Sequence, residues 1–250
     1  MRGVKTDHCS HVAVLTLPPT EATRSRFRER NVIMRNNRVS VLVECALAVA
    51  LAAVLNFVAV RLPINIAGGS ISLTMLPIAL VAIRRGPAAG AVAGLLFGTL
   101  DFFVQPYIVH WAQVILDYPL PYLLFGCGVG LFSRLYAKVA YAKATEGIAQ
   151  GSTTNALSNA LTRGSVLIVV SFVVGGLLRY AAHVLSGVIF FAEYAGGDNV
   201  WIYSLVYNIT YLAPSLVVSF VLSLIIVPIL ARAVPISKPY RFPQKPLDHN

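Results

Sequence analysis

The sequence predicts an all-α membrane protein in which six helices cross the bilayer and both termini lie in the cytoplasm. Two observations lead to this fold class. First, 57% of the 250 residues are hydrophobic and only 12% are charged, whereas about 25% of the residues in a soluble domain are charged. Second, the charges cluster between long apolar stretches, as they do in chains that lie mostly in lipid. A multi-pass protein of the cell membrane is therefore expected.

Six apolar runs are candidates for membrane spans, and polar connections separate them. They cover residues 39–60, 71–83, 86–104, 114–136, 164–187 and 203–231. The second run is short against the roughly 20 residues that a crossing helix needs, so it either begins upstream or lies partly re-entrant. Together the runs define a membrane substrate-binding domain over residues 38–232.

The distribution of lysine and arginine predicts the orientation of these spans. Basic residues concentrate in alternate connections: 1–38, 84–85, 134–163 and 232–245. The opposite side includes a connection without lysine or arginine, 105–115, and one that carries Glu193 and Asp198. Because cytoplasmic connections hold the excess of basic residues, both termini are expected in the cytoplasm. Residues 1–37 lack a secretory signal core and are expected to be a disordered extension, with 233–250 as a cytoplasmic tail.

Several classes of function are disfavoured by the residues themselves. The net charge of +10 lies in the connections just described, so it indicates topology rather than nucleic-acid binding. The three cysteines form no CxxC pair or Cys/His cluster, and neither a metal site nor a cofactor is expected. Motifs of the type GxxxxGK[ST], HExxH and GxSxG are absent from the sequence. Energy for uphill transport would therefore come from a partner protein or an ion gradient.

Small residues recur every four positions in two of the predicted spans. They are Gly86, Gly90, Gly94 and Gly98 in the third span, and the pairs Ala46/Ala50 and Ala48/Ala52 in the first. Such stripes let another helix approach closely. We expect the glycine stripe to pack within the chain, whereas an alanine stripe can face either the chain's own helices or another subunit.

Three carboxylates lie within the predicted spans, where an ionisable group is energetically costly and is a functional candidate: Glu44, Asp101 and Asp117. Asp117 is the strongest functional candidate of the three. It opens the fourth span in the run ILDYPLPYLLFG, beside Tyr118 and two prolines that imply an irregular first turn. A carboxylate and a phenol at such a turn suit a cationic aromatic ligand. The alternative interpretation is an aspartate that caps a helix.

A second group of candidates lies in the last two spans and contains His183, Gly187, Tyr203, Tyr207, Asn208 and Tyr211. The three tyrosines share one helix face at spacings of four residues. Asn208, in an apolar span, needs hydrogen-bond partners from another helix or from a ligand. Aromatic residues of the outer connections, among them Tyr107 and Phe191, act either as interface anchors or as part of a site.

Four runs occur in the order found in one family: SISLTMLPIALVAIRRGPAAGAVAGLLFG, ILDYPLPYLLFGCGVGLFS, RYAAHVLSGVIFFAEYA and WIYSLVYN. The chain resembles the thiamine-specific S components of energy-coupling factor (ECF) transporters over roughly residues 40–230. The LDYPL and HxxxGVIF runs are the most specific. The resemblance implies a protein that captures thiamine at the outer face and works with a transmembrane coupling subunit and two cytoplasmic ATPases.

The resemblance also implies roles for individual residues. Asp117 would face the positively charged thiazolium, with Tyr118 beside it, and the small residues Ala46 and Ala50 would dock on the coupling subunit. The full predicted pocket consists of Asp117, Tyr118, His183, Tyr203, Asn208, Tyr107, Phe191 and Gly187. Thiamine has a cation and two flat rings, so a carboxylate, aromatic faces and amide or imidazole groups suit it.

Two departures from the family bear on the ligand. Phe191 stands where the family commonly has tryptophan, and the first outer connection, 61–72, contains no aromatic residue. Both changes reduce the number of aromatic rings that can contact the ligand, and two alternative functions stay open. One is an S component for another pyrimidine-containing or unrelated vitamin. The other, from a different class, is an intramembrane enzyme, although the acids do not pair with a nucleophile or with metal ligands.

Overall fold

A computed structural model describes residues 21–61, 65–66, 69–137 and 153–233 of the chain. The helices are α1 (Glu21–Arg61), α2 (Met75–Arg85), α3 (Pro87–Val104), α4 (Trp111–Asp117), α5 (Pro119–Leu131), α6 (Thr153–Phe190) and α7 (Val200–Ala233). A two-residue antiparallel pair, β1 (Asn65–Ile66) with β2 (Gly69–Ser70), and a 3-10 helix, Ala192–Ala195, complete the elements. The predicted all-α class is confirmed.

Within the residues that the structure describes, five stretches are long and apolar enough to cross a membrane: Arg38–Val58, Pro87–Val104, Trp111–Ala137, Gly164–Phe190 and Val200–Leu230. The chain is therefore a multi-pass membrane protein. Helix α2, which corresponds to the short second run, has 11 residues. At 1.5 Å per residue it is about 16 Å long, short of the roughly 30 Å of a hydrocarbon core.

The chain divides into two compact units, residues 1–39 and 40–250. In the first unit, residues 1–20 lie outside the described ones, and the backbone is helical from Glu21. The expected disordered extension over residues 1–37 stays a prediction. The expected tail falls on residues 234–250, which also lie outside the described part.

The glycine stripe packs against α5, as expected. A Cβ atom on Gly90 would collide with the backbone carbonyl of Gly126, and one on Gly94 would collide with that of Tyr122. The same holds for Gly98 against the carbonyl of Tyr118. Because the side chains are absent, the backbones of α3 and α5 lie in direct contact over three turns. This contact fixes the start of α5, which Tyr118 precedes.

The two alanine pairs of α1 face opposite ways. Ala48 and Ala52 are buried within the chain, whereas Ala46 and Ala50 are exposed. On the same helix the carboxylate of Glu44 accepts two hydrogen bonds from Arg85 of α2, at 2.6 and 2.7 Å. Glu44 therefore serves to join α1 to α2 and lies apart from the ligand candidates.

Candidate functional site

Asp117 is the last residue of α4, and the chain breaks its helical path immediately afterwards. Tyr118 has φ −111° and ψ −81° and forms no side-chain cap, and Pro119 then begins α5. This confirms the irregular turn that the two prolines indicated. The capping interpretation of Asp117 is wrong, because the residue ends one helix and does not precede the next as its cap.

The carboxylate of Asp117 is held from two sides. Its Oδ2 accepts a hydrogen bond of 2.6 Å from Nε2 of Gln113, one turn earlier on α4, and Gln113 is 1% exposed. Its Oδ1 lies 3.6 Å from Nδ1 of His183 on α6. Both partners orient the carboxylate, and the Nε2 atom of the buried His183 has no hydrogen-bond partner in the described part of the chain. That nitrogen remains for a ligand.

One cavity of about 380 Å³ brings the predicted residues together. Its wall consists of Tyr107, Asp117, Tyr118, His183, Gly187, Phe191, Tyr194, Tyr203, Ser204, Tyr207, Asn208 and Tyr211. All eight residues that the sequence nominated for the pocket are on this wall. Among the described residues of this wall, Asp117 is the one carboxylate, and there is no lysine or arginine. The charge of the cavity therefore favours a cation.

The amide of Asn208 sits where α6 and α7 meet. Its Nδ2 donates to the carbonyl of Ser204 at 2.9 Å, and its Oδ1 accepts a hydrogen bond of 2.7 Å from the Tyr211 hydroxyl. The partners that an asparagine in an apolar span requires thus come from the protein itself. A Cβ atom on Gly187 would collide with Oγ of Ser204. Gly187 therefore contributes close helix packing beside the cavity.

Three tyrosines of α7 line one side of the cavity. The rings of Tyr203 and Tyr207 stack at 6.0 Å between centroids, and Tyr207 meets Tyr211 edge to face at 5.9 Å. The spacing of four residues that the sequence shows is therefore realised as a continuous aromatic surface. Aromatic faces of this kind attract cations by roughly 0.5–2 kcal/mol each.

The rim of the cavity is formed by two connections, the one between α3 and α4 and the one between α6 and α7. The ring of Tyr107 stacks on that of Phe191 at 6.1 Å, and the hydroxyls of Tyr107 and Tyr194 are 3.0 Å apart. The hydrogen bond to Tyr194 raises the pKa of Tyr107 above its ordinary value. The Tyr118 hydroxyl ties the rim to α5, because it accepts from the Tyr107 amide and donates to the carbonyl of Gln105.

The predicted pocket of eight residues did not include Tyr194, Ser204, Tyr207 or Tyr211, although Tyr207 and Tyr211 were candidates on the same helix face. Ser204 precedes Asn208 by one helical turn, and that spacing was the available signal. Tyr194 lies in the run RYAAHVLSGVIFFAEYA, so the family resemblance was its available signal. In the described part of the chain, no group of three or more His, Cys, Asp or Glu side chains is placed to hold a metal ion.

Comparison with known proteins identifies the family. A family model described as thiamine transporter protein (Thia_YuaJ) matches residues 42–235. The chain belongs to this thiamine transporter family. It is the family of thiamine-specific S components to which the sequence motifs pointed, so that resemblance is confirmed. The prediction of a transport protein rather than an enzyme is confirmed as well.

Individual members of the family resemble the chain over most of their length. The thiamine transporter ThiT of Bacillus subtilis (strain 168) is 37% identical over 181 residues, which cover 71% of this chain and 84% of that protein. ThiT of Lacticaseibacillus paracasei is 28% identical over 183 residues, with 70% and 81% covered. A solved structure of ThiT from Listeria monocytogenes has a TM-score of 0.58 and 32% identity, and it covers 80% of this chain and 97% of its own.

Proposed function

We propose that the 380 Å³ cavity captures thiamine at the outer face of the cell membrane. The observation that carries this proposal is the composition of the wall: its described residues place one oriented carboxylate among tyrosine and phenylalanine rings, with no lysine or arginine. A neutral ligand would leave the charge of Asp117 without a counter-charge in a largely apolar site. A flat cation uses both the carboxylate and the rings.

The two halves of thiamine suit two regions of the wall. The thiazolium binds beside Asp117 and Tyr118, where the charge is, with Phe191 above it in the rim. The pyrimidine extends toward the Asn208 side, and the unpartnered Nε2 of His183 is available to hydrogen-bond one of its nitrogens. Tyr203 and the neighbouring tyrosines supply faces for both rings.

We also propose the finer topology that the charge pattern predicts. The chain crosses the membrane six times, with α2 and the segment before it as the short second crossing, and both termini lie in the cytoplasm. Two observations support this orientation. Arg84 and Arg85 lie in the last turn of α2, and the connection after α6 carries Glu193 and Asp198 but no lysine or arginine. Residues 1–37 then form a cytoplasmic extension.

The energising partners are a transmembrane coupling subunit and two cytoplasmic ATPases, which together with this chain make an ECF transporter. The exposed pair Ala46 and Ala50 is the proposed docking stripe. Large apolar neighbours such as Leu42 and Leu47, 64% and 65% exposed, surround the pair and meet lipid or the partner. Small residues amid large ones form a shallow groove into which a partner helix can pack closely.

Calorimetric titration of the detergent-purified chain tests the ligand. We expect saturable one-to-one binding of thiamine, and weaker binding of hydroxymethylpyrimidine, which lacks the cation. Riboflavin should not bind. A clear signal from riboflavin with none from thiamine would reassign the cavity to another vitamin, and turnover of any ligand by the chain alone would favour the enzyme alternative.

A further inference from the structure

Two oppositely charged side chains join α1 to the end of α2. Nε and Nη2 of Arg85 donate to the two carboxylate oxygens of Glu44, at 2.7 and 2.6 Å. Nη2 of Arg85 also donates to the hydroxyl of Ser40 at 2.7 Å, and Nη2 of Arg84 lies 3.5 Å from the same carboxylate. Two parallel hydrogen bonds between a guanidinium and a carboxylate fix their relative orientation as well as their distance. We call this contact the Glu44–Arg85 fork.

The buried face of α1 beyond the fork consists largely of small side chains. Cys45, Ala48 and Ala52 are 3%, 7% and 0% exposed. Such residues allow close approach, but apolar contact gives little preference for one rotation of a helix when lipid is equally apolar. A hydrogen bond from Asn56 to Asp101 holds α1 again, about 18 Å further along at 1.5 Å per residue. The fork therefore sets the orientation of α1 at its own end.

The fork and the proposed docking stripe lie on opposite sides of α1. Each residue turns an α-helix by about 100°, so Ala46 is about 200° and Ala50 about 240° around the axis from Glu44. Glu44 is partly buried against α2, whereas Ala46 and Ala50 are exposed. Leu47 is 65% exposed, and a turn of α1 by one residue would bring its large side chain to the direction of Ala46. The rotation of α1 therefore decides whether small or large side chains meet a partner.

An ion pair is a costly way to hold two helices together. Arg85 is 6% exposed, and the free energy needed to remove charges from water is often only matched by their attraction. Apolar side chains of similar volume can replace a buried pair with equal or greater stability. A fork adds to apolar contact a defined orientation, and the orientation of α1 determines the surface that it presents.

We propose that Glu44 and Arg85 are positioning residues for transport, because their fork fixes the rotation of α1 so that Ala46 and Ala50 face the transmembrane coupling subunit. The inference rests on the proposed function, from which it takes the stripe and its partner. The described wall of the 380 Å³ cavity includes neither Glu44 nor Arg85. Loss of the fork therefore leaves thiamine capture intact and weakens both assembly with the partner and uptake.

The test uses the full chain with Glu44→Met and Arg85→Met combined, so that neither charge is left buried alone. Calorimetry should give the thiamine affinity of the wild type. Co-purification with the coupling subunit and the two ATPases, and uptake by cells that carry them, should fall about tenfold, the value of one hydrogen bond to a charged group. Exchange of the charges, Glu44→Arg with Arg85→Glu, should restore uptake. Glu193→Met, which removes an exposed carboxylate, is the control and should change none of these quantities.

The thiol of Cys45 reports the rotation of α1 in the absence of any partner. It is 3% exposed and its Sγ lies 3.7 Å from the carbonyl oxygen of Ala89. Maleimide should therefore label it slowly in a chain with Cys9→Ser and Cys127→Ser. When the two methionine substitutions are added, α1 can turn, and labelling should be about tenfold faster. A change confined to overall stability would lower the melting temperature without this separation of labelling from thiamine binding.

Three outcomes would overturn the positioning role. Wild-type assembly and uptake in the double methionine variant, or unchanged labelling of Cys45, would mean that α1 keeps its orientation without the fork. Loss of thiamine binding by a variant that melts like the wild type would connect the pair to the ligand cavity. Loss of uptake that the exchanged charges do not restore would indicate direct contact of Glu44 or Arg85 with the partner. Absence of thiamine binding in the wild type, or full uptake in Ala46→Trp, would instead refute the proposed function or its docking stripe.

Discussion

Replacing Asp117 with asparagine should weaken thiamine binding by about 30- to 150-fold. The change removes the carboxylate charge from the wall but retains the shape, and the amide oxygen can still accept the hydrogen bond from Gln113. Two unit charges 4 Å apart interact by about 4 kcal/mol at an effective dielectric constant of 20. The Asp117 side chain is 20% exposed, so solvent screening lowers the expected loss to about 2–3 kcal/mol.

The assay is calorimetric titration of wild type and Asp117→Asn with thiamine and with neutral hydroxymethylpyrimidine. If the carboxylate pairs with the thiazolium, the loss appears with thiamine and is small with the pyrimidine. Asp101→Asn should weaken thiamine binding less, because Asp101 is not among the residues that line the 380 Å³ cavity. Equal losses in Asp117→Asn and Asp101→Asn, or equal losses for the two ligands, would refute the placement of the cation beside Asp117.

Three further changes test other parts of the molecule. Ala46→Trp should leave thiamine binding intact and abolish uptake by cells that carry the complete transporter; lost binding would show that the stripe packs within the chain. Gly94→Ala places a methyl group against the carbonyl of Tyr122 and should destabilise the fold by about 1–3 kcal/mol, seen as a lower melting temperature; an unchanged value would contradict the α3–α5 contact. Phe191→Trp enlarges the ring stacked on Tyr107 and should tighten thiamine binding about three- to tenfold, whereas weaker binding would mean that the rim has no room for the larger ring.

The helical stretches were predictable because a bilayer imposes length and hydrophobicity on each crossing. The predicted third run, 86–104, matches α3 almost residue for residue, since Gly86 and Pro87 mark its start. The fourth run, 114–136, predicted the right region of the chain, but its hydropathy did not show that the helix is interrupted between Asp117 and Pro119. Hydropathy is continuous through Tyr118, and only the two prolines indicated that the helix would be interrupted there.

The pocket was predictable to the extent that local motifs carry it. Asp117 and Tyr118 lie in one run and His183 and Gly187 in another, so family motifs nominate them without knowledge of the packing. The cavity of about 270 Å³ beside Asp101 and Arg179 could not be found this way. Its contacts join residues far apart in sequence, such as Asn56 and Asp101, which are 45 positions apart. From the sequence, Asp101 was only one of three carboxylates within the predicted spans.

Two parts of the cavity differ in how firmly they are held: the turn at Asp117 and Tyr118, and the rim formed by the two connections. Glycine contacts between α3 and α5 bring backbone against backbone below Tyr118, so the adjoining Asp117 turn rests on a part of the fold that tolerates little displacement. The rim is joined across the two connections by the stacked rings of Tyr107 and Phe191, which a flat ligand ring can replace, and by the hydroxyls of Tyr107 and Tyr194, residues that are 52% and 61% exposed. Each hydroxyl can bond water instead, so separating them costs little free energy. A ligand that enters between the connections therefore disturbs replaceable contacts and reaches a carboxylate that is already oriented.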